Sequence, residues 1–183
     1  MDTVWAMFLV TAVLRCFSWC DLSCTKTATF TVTLESFARQ NRARRFLLVT
    51  QHRNEFTLSF TGRRRELGTN FTCKKECTSS NIVFSLRPAG MPDYVVAVDK
   101  RNLVLENSST INPVDNKCKF EKRKITLHYH DNTINLNAKE RYEALMFQSI
   151  PRAVMKGSRS GKVFLDKWKN WKDCQAWVKI NII

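Results

Sequence analysis

Short apolar runs and two-residue alternations recur along most of this chain. Residues 28–35 (ATFTVTLE), 45–50 (RFLLVT), 55–60 (EFTLSF), 81–86 (NIVFSL), 94–98 (YVVAV), 102–105 (NLVL), 125–129 (ITLHY), 142–147 (YEALMF) and 162–165 (KVFL) are rich in β-branched and aromatic residues. Each has the length and composition of a strand. Turn-forming or charged segments such as TGRRRELGTN, RPAGMPD and MKGSRSGK separate them. Many short strands at fairly even spacing, with almost no helical periodicity, predict one all-β domain built as a barrel, sandwich or trefoil. The stretch after Asp166 reads differently. Trp168, Trp171, Cys174 and Trp177 recur every three residues, with lysines between them. These rings either cap the core or face a membrane surface, and apolar stripes more often face cores.

The N-terminus carries a different pattern. An apolar run from Val4 to Val13 has the length of a signal-peptide core and leads into FSWCDLSC. Cleavage is expected after Ser18 or Cys20, and the run is too short for a comfortable membrane span. The alternative is a buried N-terminal strand or helix. The expected organisation is a signal peptide over 1–20, a β-domain over 21–167 and a Trp/Lys-rich extension over 168–183. A secreted chain gives meaning to two sequons, at Asn70 and Asn107. It also makes disulfides reasonable, locally between Cys73 and Cys77 or from these to Cys24 and Cys174. Cys118, on an apolar strand position, is the best candidate for a free, inert thiol. A zinc site is the lesser reading, because no second cysteine pair stands at ligand spacing.

Thirty Lys+Arg against sixteen Asp+Glu give a net charge of +14, which remains after removal of residues 1–20 because Asp2 and Arg15 leave together. Such a field attracts nucleic acid, anionic lipid or sulfated glycan. The cations sit in runs: RQNRARR (39–45), GRRR (62–65), KCKFEKRK (117–124) and PRAVMKGSRSGK (151–162). The last run is the leading anion site. Arg152 and Arg159 offer bidentate grips, Lys156 and Lys162 point charges, and Gly157 and Gly161 close backbone approach. RARR before Phe46 also has the form of a basic processing site, beside the plainer reading of a solvated turn.

Catalytic readings fail on residues. GSRSGKV (157–163) lacks both the first glycine and the Ser/Thr of a phosphate loop. His128 and His130 share a strand face, but no third metal ligand follows at defined spacing. No nucleophile elbow occurs, and carboxylates are scattered among cations rather than paired. The chain is expected to be no enzyme and to carry neither metal nor cofactor.

CKFEKRKITLHY (118–129) resembles the signature of the fibroblast growth factors. Cys118 is followed two residues later by Phe120 and eleven residues later by Tyr129. The resemblance extends through DYVVAVDKRNLVLE (93–106) and RYEALMFQSIPRAVMKGSRSGKVFLDK (141–167). It implies a β-trefoil of about twelve short strands over 21–167 and a secreted ligand of a receptor tyrosine kinase of the fibroblast growth factor receptor type. It also implies a heparan sulfate co-receptor, with no nucleic-acid partner and no stable membrane insertion. Carried over by position, the family's basic loop falls on Arg152, Lys156, Arg159 and Lys162, and its receptor-facing aromatic positions on Tyr94 and Tyr129. Cys118 and Phe120 fall in its core. Lys122 stands where the family has a glutamate and His128 where it has an asparagine, which leaves receptor choice open. Divergence of this kind resembles the virus-encoded members. The alternative is a secreted trefoil that binds glycan, or an interleukin-1-like cytokine, without growth-factor receptor activity.

Overall fold

The computed structural model describes residues 27–39, 43–53, 55–77, 81–124, 142–168 and 174–183. The expected signal peptide, Cys24, Tyr129 and the two histidines at 128 and 130 lie outside them. Alternation drives the architecture. In β1 (Ala28–Ser36) Val32 and Leu34 turn inward and are fully buried. They meet Phe71 of β4 (Phe71–Cys77), which is opposite Val32, and Ile180 of β12 (Val178–Ile182), which is opposite Leu34. From β4 the antiparallel ladder runs through β5 (Ile82–Pro88), β8 (Phe120–Lys124) and β9 (Glu143–Phe147) to β12, which pairs with both β9 and β1. The ring of six strands is thereby closed, which removes sheet edges.

Among the described residues the other six strands are three hairpins: β2 (Phe46–His52) with β3 (Glu55–Gly62), β6 (Tyr94–Asp99) with β7 (Asn102–Asn107), and β10 (Ala153–Gly157) with β11 (Val163–Lys167). Each hairpin lies between two ring strands in sequence, so one four-strand unit repeats three times. The hairpins also touch one another. Ser59 bridges Lys162, the Leu165 N–H donates to the Arg101 carbonyl (3.4 Å), and the Phe56 and Tyr94 rings meet edge to face at 4.9 Å. A closed six-stranded ring with three mutually contacting hairpins is a β-trefoil-like fold, in agreement with the all-β reading.

The interior is apolar and filled from every element. Phe84, Phe120 and Phe147 stand opposite one another on β5, β8 and β9, with ring centroids 5.8 and 5.7 Å apart. Leu34, Leu47, Phe60, Leu86, Leu145 and Met155 complete the centre. A second aromatic cluster joins Phe37 to Tyr142 and Trp177 at 5.1 and 4.8 Å, and the Phe37 N–H donates to the Trp177 carbonyl. Trp177 is 0% exposed.

That cluster corrects the expected boundary at Lys167. Residues 178–182 are no extension but the strand that closes the barrel, and Trp177 caps the core. Trp168 is half-buried beneath the Arg123 guanidinium (5.7 Å), while Trp171 lies outside the described residues. Among the described residues no helix is long and apolar enough to cross a membrane.

Candidate functional site

Three basic runs, far apart in sequence, meet where β1 leaves the barrel. The chain turns through a 3-10 turn, Phe37–Arg39, which presents the Arg39 side chain between two loops. Its Nε donates to the Arg44 carbonyl (2.8 Å), and its Nη1 donates to the Arg159 carbonyl in the β10–β11 turn. Arg39 therefore holds these loops together rather than standing free. Strand pairing adds the third run. Phe46 faces Gly62 across β2 and β3, so the ends of RARR and GRRR lie side by side.

The loops are shaped rather than slack. In the β10–β11 turn the Ser158 N–H donates to the Lys162 carbonyl (2.9 Å), and the Ser158 hydroxyl accepts from the Lys162 N–H (2.9 Å). Gly161 has φ +98°, and a Cβ there would lie 2.6 Å from the Thr61 methyl, so this position needs glycine. Its carbonyl accepts from the Phe60 N–H at 2.7 Å, which docks the turn on β3. In the β3–β4 loop the Arg63 N–H donates to the Glu66 carboxylate (2.6 Å), and the buried Thr69 hydroxyl donates to the Glu66 carbonyl (2.6 Å). That loop exposes Arg63, Arg64 and Arg65, with Leu67 at its tip 96% exposed. Arg44, Arg159 and Lys162 are exposed as well. Arg45 is committed to Glu35 at 2.5 Å.

The four expected anion-binding residues divide. Arg159 and Lys162 occupy the turn. Arg152, exposed with φ +60°, sits at the opposite end of the hairpin, its carbonyl accepting from the Trp168 N–H at 2.9 Å. Five strand residues at about 3.3 Å each put roughly 16 Å between those ends. Lys156 is the correction: it is 2% exposed, and its Nζ donates to Asp166 Oδ2 at 3.0 Å. It lies opposite Phe164, and Asp166 lies opposite Val154, so the ion pair is a diagonal neighbour pair on one face of the hairpin. A buried ammonium with its own carboxylate is not available to a surface polyanion. The glycine N–H groups are also spent, because the Gly161 N–H donates to the Ser158 carbonyl and Gly157 is buried in β10. Replacing Lys156 by methionine is expected to leave stability within about 1–2 kcal/mol, because the apolar chain fills the buried site and Asp166, half-exposed, keeps its hydration once the ammonium is gone. The variant should elute from heparin at the wild-type salt concentration. Earlier elution would return Lys156 to the binding surface.

Other expected positions are placed as follows. Tyr94 is half-buried against Phe56. Asn70 is exposed just before β4, and Asn107 ends β7 with its Oδ1 accepting from the Ser109 N–H (3.0 Å) and hydroxyl (2.8 Å). Cys73 and Cys77 do not bond: both lie on extended β4, where four residues span about 13 Å, beyond disulfide reach. Burial pushes the Cys73 thiol up to about 11 and raises that of half-buried Cys118, so both are poor nucleophiles. Cys118 and Cys73 carry free thiols. The Arg45–Phe46 bond following RARR is folded in: the Arg45 carbonyl accepts from the Ser36 N–H (3.0 Å), and Phe46 is buried in β2. Among the described residues no group of three His, Cys, Asp or Glu is placed to hold a metal.

Sequence reasoning missed the clamp by Arg39 and the neighbourhood of Arg63–Arg65. The runs themselves were visible as charge, but their meeting depends on a contact across 120 residues. The chain matches no family model, and no curated protein matches it in sequence.

Proposed function

We propose that this protein is a secreted, non-enzymatic ligand that binds heparan sulfate and activates a receptor tyrosine kinase of the fibroblast growth factor receptor type, as a divergent, virus-encoded member of that family would. The observation that carries the glycan part is the convergence of Arg44, Arg63–Arg65, Arg159 and Lys162 around the Arg39 clamp. Exposed guanidinium groups on ordered loops suit repeated sulfates, because their fork geometry matches two oxygens at once. The trefoil-like ring and the Cys118, Phe120, Tyr129 spacing support the growth-factor part.

A second reading, a glycan-binding or interleukin-1-like trefoil without that receptor activity, is favoured by one observation. Lys122, where the resemblance calls for glutamate, is paired with Glu143 (3.3 Å) and lies 4.6 Å from the Phe84 ring centroid. Conditioned medium applied to cells that each express one receptor tyrosine kinase separates the readings. Phosphorylation of a fibroblast growth factor receptor is expected. Heparin retention without phosphorylation of any kinase would leave the second reading. Amino-terminal sequencing of the same medium should give a product starting after Ser18 or Cys20, and a cytosolic product with intact Met1 would overturn secretion.

A further inference from the structure

At the end of the β10–β11 hairpin away from the basic turn, a cavity of about 250 Å³ opens between that hairpin and the β6–β7 turn. Its walls are Ile150, Pro151, Ala153 and Leu165, with Arg101 and Lys167 also contributing. We propose that this cavity is a second binding site, which takes an aromatic side chain bearing an anionic group, of the kind a sulfated tyrosine presents, from an extracellular protein partner. Size sets the first limit. Pockets for drug-sized ligands begin near 300 Å³, so this one suits a single ring rather than a saccharide chain. Chemistry sets the second. The apolar wall favours a ring body, and Arg101 and Lys167, both exposed lining residues, favour an anion on that ring.

Asp166 also lines the cavity and would oppose an anion if uncompensated. Its Oδ2 accepts from buried Lys156 (3.0 Å) and its Oδ1 from the Lys167 N–H (2.8 Å), so its charge is balanced from behind. That gives Lys156 a role where the glycan reading left it none. The site is held at both sides: the Arg101 carbonyl accepts from the Leu165 N–H, and Ala153 pairs with Lys167. It stands about five strand residues, roughly 16 Å, from Arg159 and Lys162, so it does not rest on the glycan reading.

The test is an NMR titration of the full chain with p-tolyl sulfate, p-cresol and inorganic sulfate as separate probes. Saturable shifts at Ile150, Leu165 and Arg101 are expected with p-tolyl sulfate at millimolar concentration, the range for a ligand of this size. Cresol and sulfate should each bind at least about tenfold more weakly, since each supplies half of the recognition. Arg101→Gln, an exposed change, should weaken p-tolyl sulfate at least about fivefold, while the double variant Arg159→Gln/Lys162→Gln should leave it unchanged. Equal response to all three probes, or no loss in Arg101→Gln, would overturn the site. A capped acidic peptide with one sulfated tyrosine should bind more tightly than p-tolyl sulfate and lose binding when unsulfated. Exclusion of that peptide while p-tolyl sulfate still binds would overturn the protein partner.

Discussion

A chain ending at Lys167 is expected not to fold. The barrel lacks closure without β12, which pairs through five residues with β1 and also reaches β9. Its loss would expose two sheet edges together with the aromatic cluster of Phe37 and Tyr142. The energetic scale points the same way. Emptying one buried tryptophan site costs about 3–5 kcal/mol, and whole domains are stable by only about 5–15 kcal/mol. Truncation removes Trp177, Ala176 and Val178, all fully buried, in addition to the strand ladder. The single change Trp177→Ala should keep the fold but lower the melting temperature by about 10 °C, given some 2–4 °C per kcal/mol at this chain length. Circular dichroism and thermal melting read both. A cooperative melt near the wild-type temperature for the truncated chain would show that 168–183 is an appendage and that the ring closes some other way.

The twelve strands among the described residues were not equally legible. Short runs rich in β-branched and aromatic residues marked β1, β2, β3, β5, β6, β7, β9 and β11, some by alternation, as in β3, and some as continuous buried runs, as in Val95–Val98 of β6. β12 alternates too, in Val178, Ile180 and Ile182. It lies beyond the Phe-Leu strand at which the family resemblance ends, so that resemblance gives it no place in the domain. β4 was hidden by its cysteines, which read as a disulfide pair instead of an inward face carrying Phe71 and Cys73. β10 could not be seen by any pattern. All five of its residues are buried, Lys156 among them, and a lysine inside AVMKG reads as surface until Asp166 is known to lie across the hairpin. The same limit governs the candidate site. Charge runs are visible one at a time, whereas the Arg39 clamp that joins two of them is a long-range contact.

The largest expected functional change follows from that clamp. Converting Arg44, Arg159 and Lys162 together to glutamine should weaken binding to heparin by roughly 100-fold at physiological salt, taking about 1 kcal/mol for each basic group lost at an anionic surface. Because polyanion binding releases counterions, the plot of log affinity against log salt should also lose about one unit of slope per contact removed. Stability should hardly move, since exposed charges contribute little to folding. The comparison that gives this meaning is Arg152→Gln, an equally exposed cation about 16 Å away at the far end of the hairpin, which should change the slope far less. Arg39→Gln separates surface charge from architecture. It removes a half-buried cation whose hydrogen bonds go to the Arg44 and Arg159 carbonyls, so it should weaken heparin binding by freeing the loops, and it should also speed amide exchange of Gly161 and Ser158. On cells bearing heparan sulfate the triple variant should signal only at raised dose, because the glycan concentrates ligand near its receptor. Stripping the glycan should then bring wild type and variant together. If the triple variant and Arg152→Gln instead lose the same slope, the protein binds polyanions through its overall field, and the meeting of the three runs confers no site.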